Sequence, residues 1–309
     1  MVIPRVLVGV LHVGEPGLAH AVASARSQSD VEVDVLLIEH LPKSEAHDAL
    51  FRSFTTRGAE YDVLVKLDAD MRIVQPRLLA AVFSLLASET TLDHVILGVD
   101  DWLSGQRIQG IQFWRGGVQW LLPVPDLFTD LPVSTVREKW SHIDIGTALV
   151  MHAEDPTEMQ ALRYGAHRGL KAARTRKASR LDRLVTFAHH AISDPAPARL
   201  LALAAVELAL KDEQAGRVLV DGTGAVPEEL LLSLRTRAHE SGSVLTSVLH
   251  LIEGLGPASP QMTRSSPIGR LRDLTARLRD ASARTPDRSS TEREDARRVA
   301  TLLEALDRP

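Results

Sequence analysis

Apolar positions recur along the first hundred residues with two alternating periods. Residues 3–11 (IPRVLVGVL) form a β-branched apolar run closed by Gly14 and Pro16, the pattern of a buried strand. From Pro16 to Gln28 the period lengthens, so that Leu18, Val22 and Ala25 share one face of a helix. Residues 31–38 (VEVDVLLI) alternate and then become continuously apolar, like a strand entering a core. A helix over 44–58 ends at Gly58, and 61–67 (YDVLVKL) reads as a third strand. A helix over 76–87 has Pro76 in its first turn, and 93–99 (DHVILGV) is a fourth strand. This alternation predicts a doubly wound, mostly parallel α/β sheet, in which ligands bind beyond the carboxyl ends of the strands.

The pattern then changes. Glycine-rich turns and short alternating runs over 104–121 predict a β-hairpin, followed by a loop with Pro123, Pro125 and Pro132. Residues 143–151 (IDIGTALVM) read as another core strand ending at His152. Asp155-Pro156-Thr157-Glu158 signals a helix start, with Asp155 as N-cap, and that helix runs to about Arg174. From Lys177 onward only helices are predicted, over 179–193, 196–214, 227–253, 268–282 and 291–307. The stretches GLGPASPQMTRSSP and SARTPDRSST read as linkers. The expected division is an α/β domain over 1–175, an all-helical accessory region over 176–256, and a linker with C-terminal helices over 257–309.

Composition narrows the chemistry. The 309 residues are 44% apolar and 25% charged, enough for a full core in one large or two ordinary domains. A net charge of −4 argues against nucleic-acid binding through bulk positive charge. Without cysteine, there is no disulfide frame and no thiolate ligand, so a metal must be held by carboxylates and histidines. No uncharged apolar run reaches the roughly 18 residues that span a bilayer, and the first residues read as a strand rather than a signal peptide. A cytoplasmic location is the expectation. The apolar helix over 198–210 calls for a covering partner, whether the catalytic domain, a second subunit in a homo-oligomer, or a peripheral membrane surface.

The strongest chemical feature is Asp68-Ala69-Asp70, where an apolar strand delivers two carboxylates into a strand-end loop. Close carboxylates repel, and a divalent cation such as Mn²⁺ or Mg²⁺ relieves that repulsion while leaving positions for phosphate oxygens. A polar turn in which Asp70 caps the next helix would produce the same tripeptide. Asp100-Asp101-Trp102 follows the fourth strand at the same edge of the sheet. All four tryptophans, Trp102, Trp114, Trp120 and Trp140, fall within 39 residues of one another, and indole faces suit the C–H faces of sugars as well as core packing. His167, with Arg163, Arg168 and Lys171, makes a basic helical face suited either to solvent or to a diphosphate. His189-His190 lie on an amphipathic helix, and Asp221-Gly222-Thr223-Gly224 is a turn that lacks the lysine and spacing of a phosphate loop.

Residues 5–72 resemble the family 2 glycosyltransferases of the GT-A type. The resemblance rests on the turn Glu with Ser24 and Gln28 on the first helix (GEPGLAHAVASARSQ), on the second strand VDVLLIE, and on AEYDVLVKLDADM. It implies a GT-A domain that transfers a sugar from a UDP- or GDP-linked donor to a glycan, lipid-linked or small-molecule acceptor, with Mn²⁺ or Mg²⁺ held by Asp68, Asp70 and the late histidine His152. His142 is a rival for that last position. Donor contacts would fall to His12, Glu15, Glu39, Lys66, Asp68, Asp100 and Trp102, and catalytic roles to Asp144 and Asp101. The segment Glu39-His40-Leu41-Pro42 stands where the family has an Asp-Asp-rich stretch, and no clean Glu-Asp base pair is present. Glu154-Asp155 is the nearest alternative to Asp144. Those departures keep a catalytically degenerate GT-A scaffold in view. A nucleotidyltransferase also uses carboxylate-bound metal on an α/β sheet, but VLHVGEPG lacks the basic residues of a triphosphate-gripping loop.

Overall fold

Residue alternation in the first strand sets the architecture. Eight strands form a mixed sheet: β1 (Arg5–His12), β2 (Glu32–Glu39), β3 (Val63–Asp68), β4 (Met71–Ile73), β5 (Leu92–Asp101), β6 (Gln106–Arg115), β7 (Glu138–His142) and β8 (Val150–His152). Val6, Val8 and Val10 of β1 join a core built with α1 (Leu18–Arg26) and α3 (Leu78–Ser88), while Leu7 joins a second core built on α2 (Lys43–Arg57). With both faces covered, the strand reads as continuously apolar. The computed structural model describes residues 3–41, 43–120, 134–221, 226–256 and 289–307. The proline-rich loop, the Gly222–Gly224 turn, most of both linkers and the helix predicted over 268–282 lie outside these residues.

The sheet order is β2-β1-β3-β6-β5-β8-β4, with β7 paired to β5. The pairs β1–β2, β1–β3, β5–β7 and β5–β8 are parallel, whereas β3–β6 and β4–β8 are antiparallel. The predicted α/β class with a mostly parallel sheet and helices on both faces is therefore observed.

Three local expectations are corrected. Residues 104–121 are not a hairpin: β6 runs unbroken from Gln106 to Arg115 and pairs with β3 from Val63↔Arg115 to Lys66↔Gln112. Gly105, at φ +61°, turns the chain before β6. Gly110 lies inside the strand because a Cβ there would meet both Val99 methyls at 2.5 Å. The single strand expected over 143–151 is split, with β7 before it and only β8 within it. Ile143 leaves the ladder to cross Gly98, whose Cβ would come within 1.9 Å of the Ile143 carbonyl oxygen.

Helix α4 (Glu158–Thr175) is capped by Thr157 rather than Asp155. The Thr157 Oγ1 accepts from the Gln160 amide at 3.2 Å, and the Gln160 Oε1 accepts from the Thr157 amide at 2.9 Å. Thr-x-x-Gln satisfies two orphan amides reciprocally, which a lone Asp155 cannot do.

The chain divides into two compact units, one of Met1–Trp102, Arg107–Asp155 and Asp287–Pro309, the other of Leu103–Gln106 and Pro156–Pro286. The first therefore ends its main run at Asp155, where the sequence suggested 175, and it gains the last helix, α10 (Ser289–Leu306). Leu302 and Ala305 of α10 enter its core.

The second unit contains α4, α5 (Ala178–Ser193), α6 (Pro197–Lys211), α7 (Glu213–Asp221), α8 (Glu228–His239) and α9 (Ser241–Leu255). The predicted helices over 196–214 and 227–253 each break into two, at Asp212 and Glu240. Gly165 lets α4 lie on the backbone of α6, since a Cβ there would come within 1.9 Å of the Ala202 carbonyl oxygen. No helix among the described residues is long and apolar enough to cross a membrane.

Candidate functional site at the carboxyl rim of the sheet

The rim is assembled by two short ladders. Parallel pairing of β5 with β8 sets Asp101 opposite His152, and antiparallel pairing of β4 with β8 sets Met71 opposite His152. The Ala153 amide bonds the Asp70 carbonyl at 2.9 Å, and the Trp102 amide bonds the His152 carbonyl at 3.0 Å. Asp70, Asp101 and His152, distant in sequence, thus share one corner.

The His152 Nδ1 lies 2.6 Å from the Asp101 Oδ1, and its Nε2 lies 3.4 Å from the Asp70 Oδ2. The Asp101 side chain is fully buried and that of His152 nearly so. Burial disfavours the imidazolium, but Asp70 and Asp101 outweigh it and push the His152 pKa up to about 10. The ring therefore carries a proton at neutral pH, and its single positive charge is shared between the two carboxylates and balances only one of them.

Asp68 sits at the end of β3, where Lys66, two residues earlier on the same face, donates to its Oδ1 at 2.8 Å. Burial raises the Asp68 carboxyl, but Lys66 outweighs it, with help from His47 and His152, and the net shift is downward. Lys66, only 6% exposed, is a charge partner for Asp68 rather than an outward ligand-contacting group.

Ser24 and Gln28 hold the backbone around this corner. The Ser24 Oγ accepts from the Ile73 amide of β4 at 3.1 Å. The Gln28 Oε1 accepts from the Leu79 amide at the start of α3 at 3.1 Å, and its Nε2 donates to the Gln75 carbonyl at 3.0 Å. Gly17, at the head of α1, passes so close to the Asp68–Asp70 turn that a Cβ would lie 2.9 Å from the Ala69 carbonyl oxygen.

The remaining candidates lie along the same rim in separate groups. The His12 Nε2 is 3.1 Å from the Glu39 Oε1, in register across β1 and β2, and the His12 and His40 rings meet edge to face at 5.4 Å. Glu15 turns back to accept from the Val13 amide at 2.7 Å. Asp100 and Asp144 both bind Arg107, at 2.7 and 2.5 Å. The Gly146 amide and Arg107 hold the Asp144 carboxyl below the usual range, so it is a weak proton acceptor. Arg107 was not singled out by sequence, and no spacing rule marks it.

Glu154 pairs with Arg72 at 2.8 Å. His142 stacks on Trp140 at 5.5 Å and contacts the Asp144 carbonyl, so it is not grouped with Asp70. Trp114 and Trp120 pack with Phe51 and Phe54 in the second core, and the Trp140 Nε1 donates to Asp295 at 3.0 Å. Trp102 is the half-buried tryptophan next to the corner.

Among the described residues, no three His, Asp or Glu side chains form a ready-made cation cage. The donor chemistry nevertheless fits a hard divalent ion. The Asp70 Oδ2 and the His152 Nε2 face one another, and Asp101 would hold the Nδ1 proton of a ligating neutral imidazole. No protein-family model and no curated protein matches the chain.

Proposed function

We propose that this chain is a metal-dependent glycosyltransferase on a GT-A-type domain, moving a sugar from a nucleotide-diphosphate donor to an acceptor hydroxyl. The observation that carries the reading is the meeting of Asp70, Asp101 and His152 beside Asp68 at the carboxyl rim of a mostly parallel sheet. In such sheets this rim is where ligands bind.

Asp70 and His152 would hold Mn²⁺ or Mg²⁺, with Asp68 behind them. When bound, the cation would supply Lewis-acid stabilisation of the departing diphosphate. Asp101 accepts a hydrogen bond from Nδ1 and fixes the ring so that Nε2 faces Asp70. Lys66 keeps Asp68 ionised. The head of α1 beside Ala69 brings helix-terminal amides close to the same corner, a favourable place for phosphate oxygens. Glu39 and His12 occupy the β1–β2 end, where a nucleoside would extend. Asp144, tied to Arg107, orders the loop after β7 rather than serving as a free base.

The test is calorimetric binding of UDP and GDP with and without Mn²⁺. We expect a metal-dependent affinity gain that falls at least tenfold in Asp70→Asn and in His152→Ala. Equal binding with and without Mn²⁺, or an Asp70→Asn protein as metal-responsive as the parent, would overturn the proposal.

One observation favours a second reading, a GT-A-like scaffold without catalysis. The His152 imidazolium already contacts both Asp70 and Asp101 and offsets part of their charge, which lessens the need for a cation there. Its signature is the absence of any metal-dependent nucleotide binding in the same experiment.

A further inference from the structure

The residue after His152 adopts a backbone conformation that alanine seldom takes. Continued past its last pair, the antiparallel β4–β8 ladder would set Ala153 opposite Asp70 and Glu154 opposite Ala69, three residues along from Arg72. The chain departs from that course. Ala153, at φ +52°, is in the left-handed region, where its Cβ crowds the following carbonyl oxygen, so the turn costs free energy. Its amide still reaches the Asp70 carbonyl at 2.9 Å, but Glu154 is brought back to Arg72. There the Arg72 Nε and Nη2 donate to the two Glu154 carboxylate oxygens, each at 2.8 Å. Arg72 lies two residues after Asp70, and Glu154 two residues after His152. A two-pronged ion pair thus ties the strand that follows Asp70 to the turn that follows His152, beside a ladder of only three residues on each side.

We infer that Arg72 and Glu154 are positioning residues, whose fork holds the left-handed turn at Ala153 and thereby keeps the His152 Nε2 at its 3.4 Å spacing from the Asp70 Oδ2. The inference rests on the metal-dependent reading above and gives the pair a part in cation affinity without contact with the ion. Ligands held in place before binding lose less freedom when the ion arrives, so their supports contribute to affinity. Exposed ion pairs as a rule contribute little, and a bidentate arginine–carboxylate fork is the favourable case. With the two side chains 43% and 39% exposed, the pair is worth a few-fold in affinity rather than orders of magnitude.

Charge alone makes a different forecast. Loss of Glu154 removes a negative charge near the corner and should weaken cation binding, whereas loss of Arg72 removes a positive charge and should strengthen it. A clamp requires both losses to weaken it.

Mn²⁺ is the probe, added alone to the full chain, with the bound ion read from loss of the free-ion electron paramagnetic resonance signal. We expect Glu154→Gln and Arg72→Gln each to weaken binding about three- to fivefold, while their melting temperatures without metal stay close to the parent's. Glycine enters the left-handed region without the Cβ cost, so Ala153→Gly added to Glu154→Gln should recover part of the lost affinity. The inference is overturned by an Arg72→Gln chain that binds Mn²⁺ as tightly as the parent or more tightly, by an undiminished Glu154→Gln chain, or by a double variant no better than Glu154→Gln. Melting temperatures that fall in step with affinity would also overturn it, since the pair would then support the fold at large. A parent that binds no Mn²⁺ would remove the metal-dependent reading and this role with it, whereas a parent that binds Mn²⁺ regardless of Arg72 and Glu154 would remove the positioning role alone.

Discussion

Two histidines in the first unit show how neighbours decide a proton. His152, between two carboxylates, is held charged, whereas His94 is held neutral. The His94 ring stacks on Trp114 at 4.7 Å and its Nε2 lies 3.2 Å from the Gln112 Oε1. Burial, assisted by Lys139, pushes its pKa from 6.5 down to about 3. The sign follows from proton counting. Between those two values the unfolded chain binds a proton that the native chain excludes, so stability is fully present above pH 6.5 and falls as the pH drops toward 3. At roughly 1.4 kcal/mol per pH unit of full difference, the loss by pH 4.5 is on the order of 2 kcal/mol. Urea unfolding at pH 7 and 4.5 measures it. His94→Phe, which keeps the stacking but cannot titrate, should show a shallower fall, and a slope identical to the parent's would refute the assignment.

At the scale of elements, local pattern was legible wherever a period had room to repeat. The strands β1, β2, β3 and β5 and the helices α1 to α3 each span enough residues to display their apolar face. Asp68 and Asp70 were readable because the apolar run of β3 ends abruptly in carboxylates. The partnership of His152 with Asp101 and Asp70 was not readable. It is made by β4 and β8, strands of three residues each, too short to carry an alternation and paired only through tertiary register. The breaks at Asp212 and Glu240 were hidden for the opposite reason, since the apolar spacing continues across both. Asp155-Pro156 is a strong helix-start signal in isolation, but Thr157-x-x-Gln160 is stronger in context, so α4 begins two residues later than Asp155 as N-cap implies. That correction is testable: Thr157→Ala should destabilise the helical unit by about 1 kcal/mol and Thr157→Asp much less. Asp155→Ala should leave the denaturation midpoint where it is, and a larger loss from Asp155→Ala than from Thr157→Ala would restore Asp155 as the cap.

At the scale of the whole molecule, chain order and compact unit part company. The last helix, α10, returns to the first unit after more than a hundred residues of helical unit have intervened. It supplies more than a cover. Leu302 is fully buried, and Arg298, 4% exposed, binds Glu138, Glu294 at 2.7 Å and, more distantly, Glu89. Arg297 pairs with Glu89 at 2.5 Å, and Asp295 accepts from Trp140 at 3.0 Å. Arg298 is buried, but Glu138 and Glu294 are partly exposed and can turn to water, and Glu89 keeps Arg297. Breaking a fully buried ionic group costs about 3–5 kcal/mol and an exposed ion pair contributes about 0–1 kcal/mol, so this mixed group falls between them. Arg298→Met should therefore lower the stability of the first unit by about 1–3 kcal/mol, with Arg297→Met, at a more exposed side chain, costing less. Because the helical unit contains neither residue, the loss should appear in one part of the unfolding profile only. Hydrogen exchange followed by mass spectrometry resolves the two parts: protection in β5, β7 and α3 should fall in Arg298→Met, while α4 and α6 keep theirs. Equal losses in both units would mean that the chain unfolds as one cooperative body and that α10 is not specifically a part of the first.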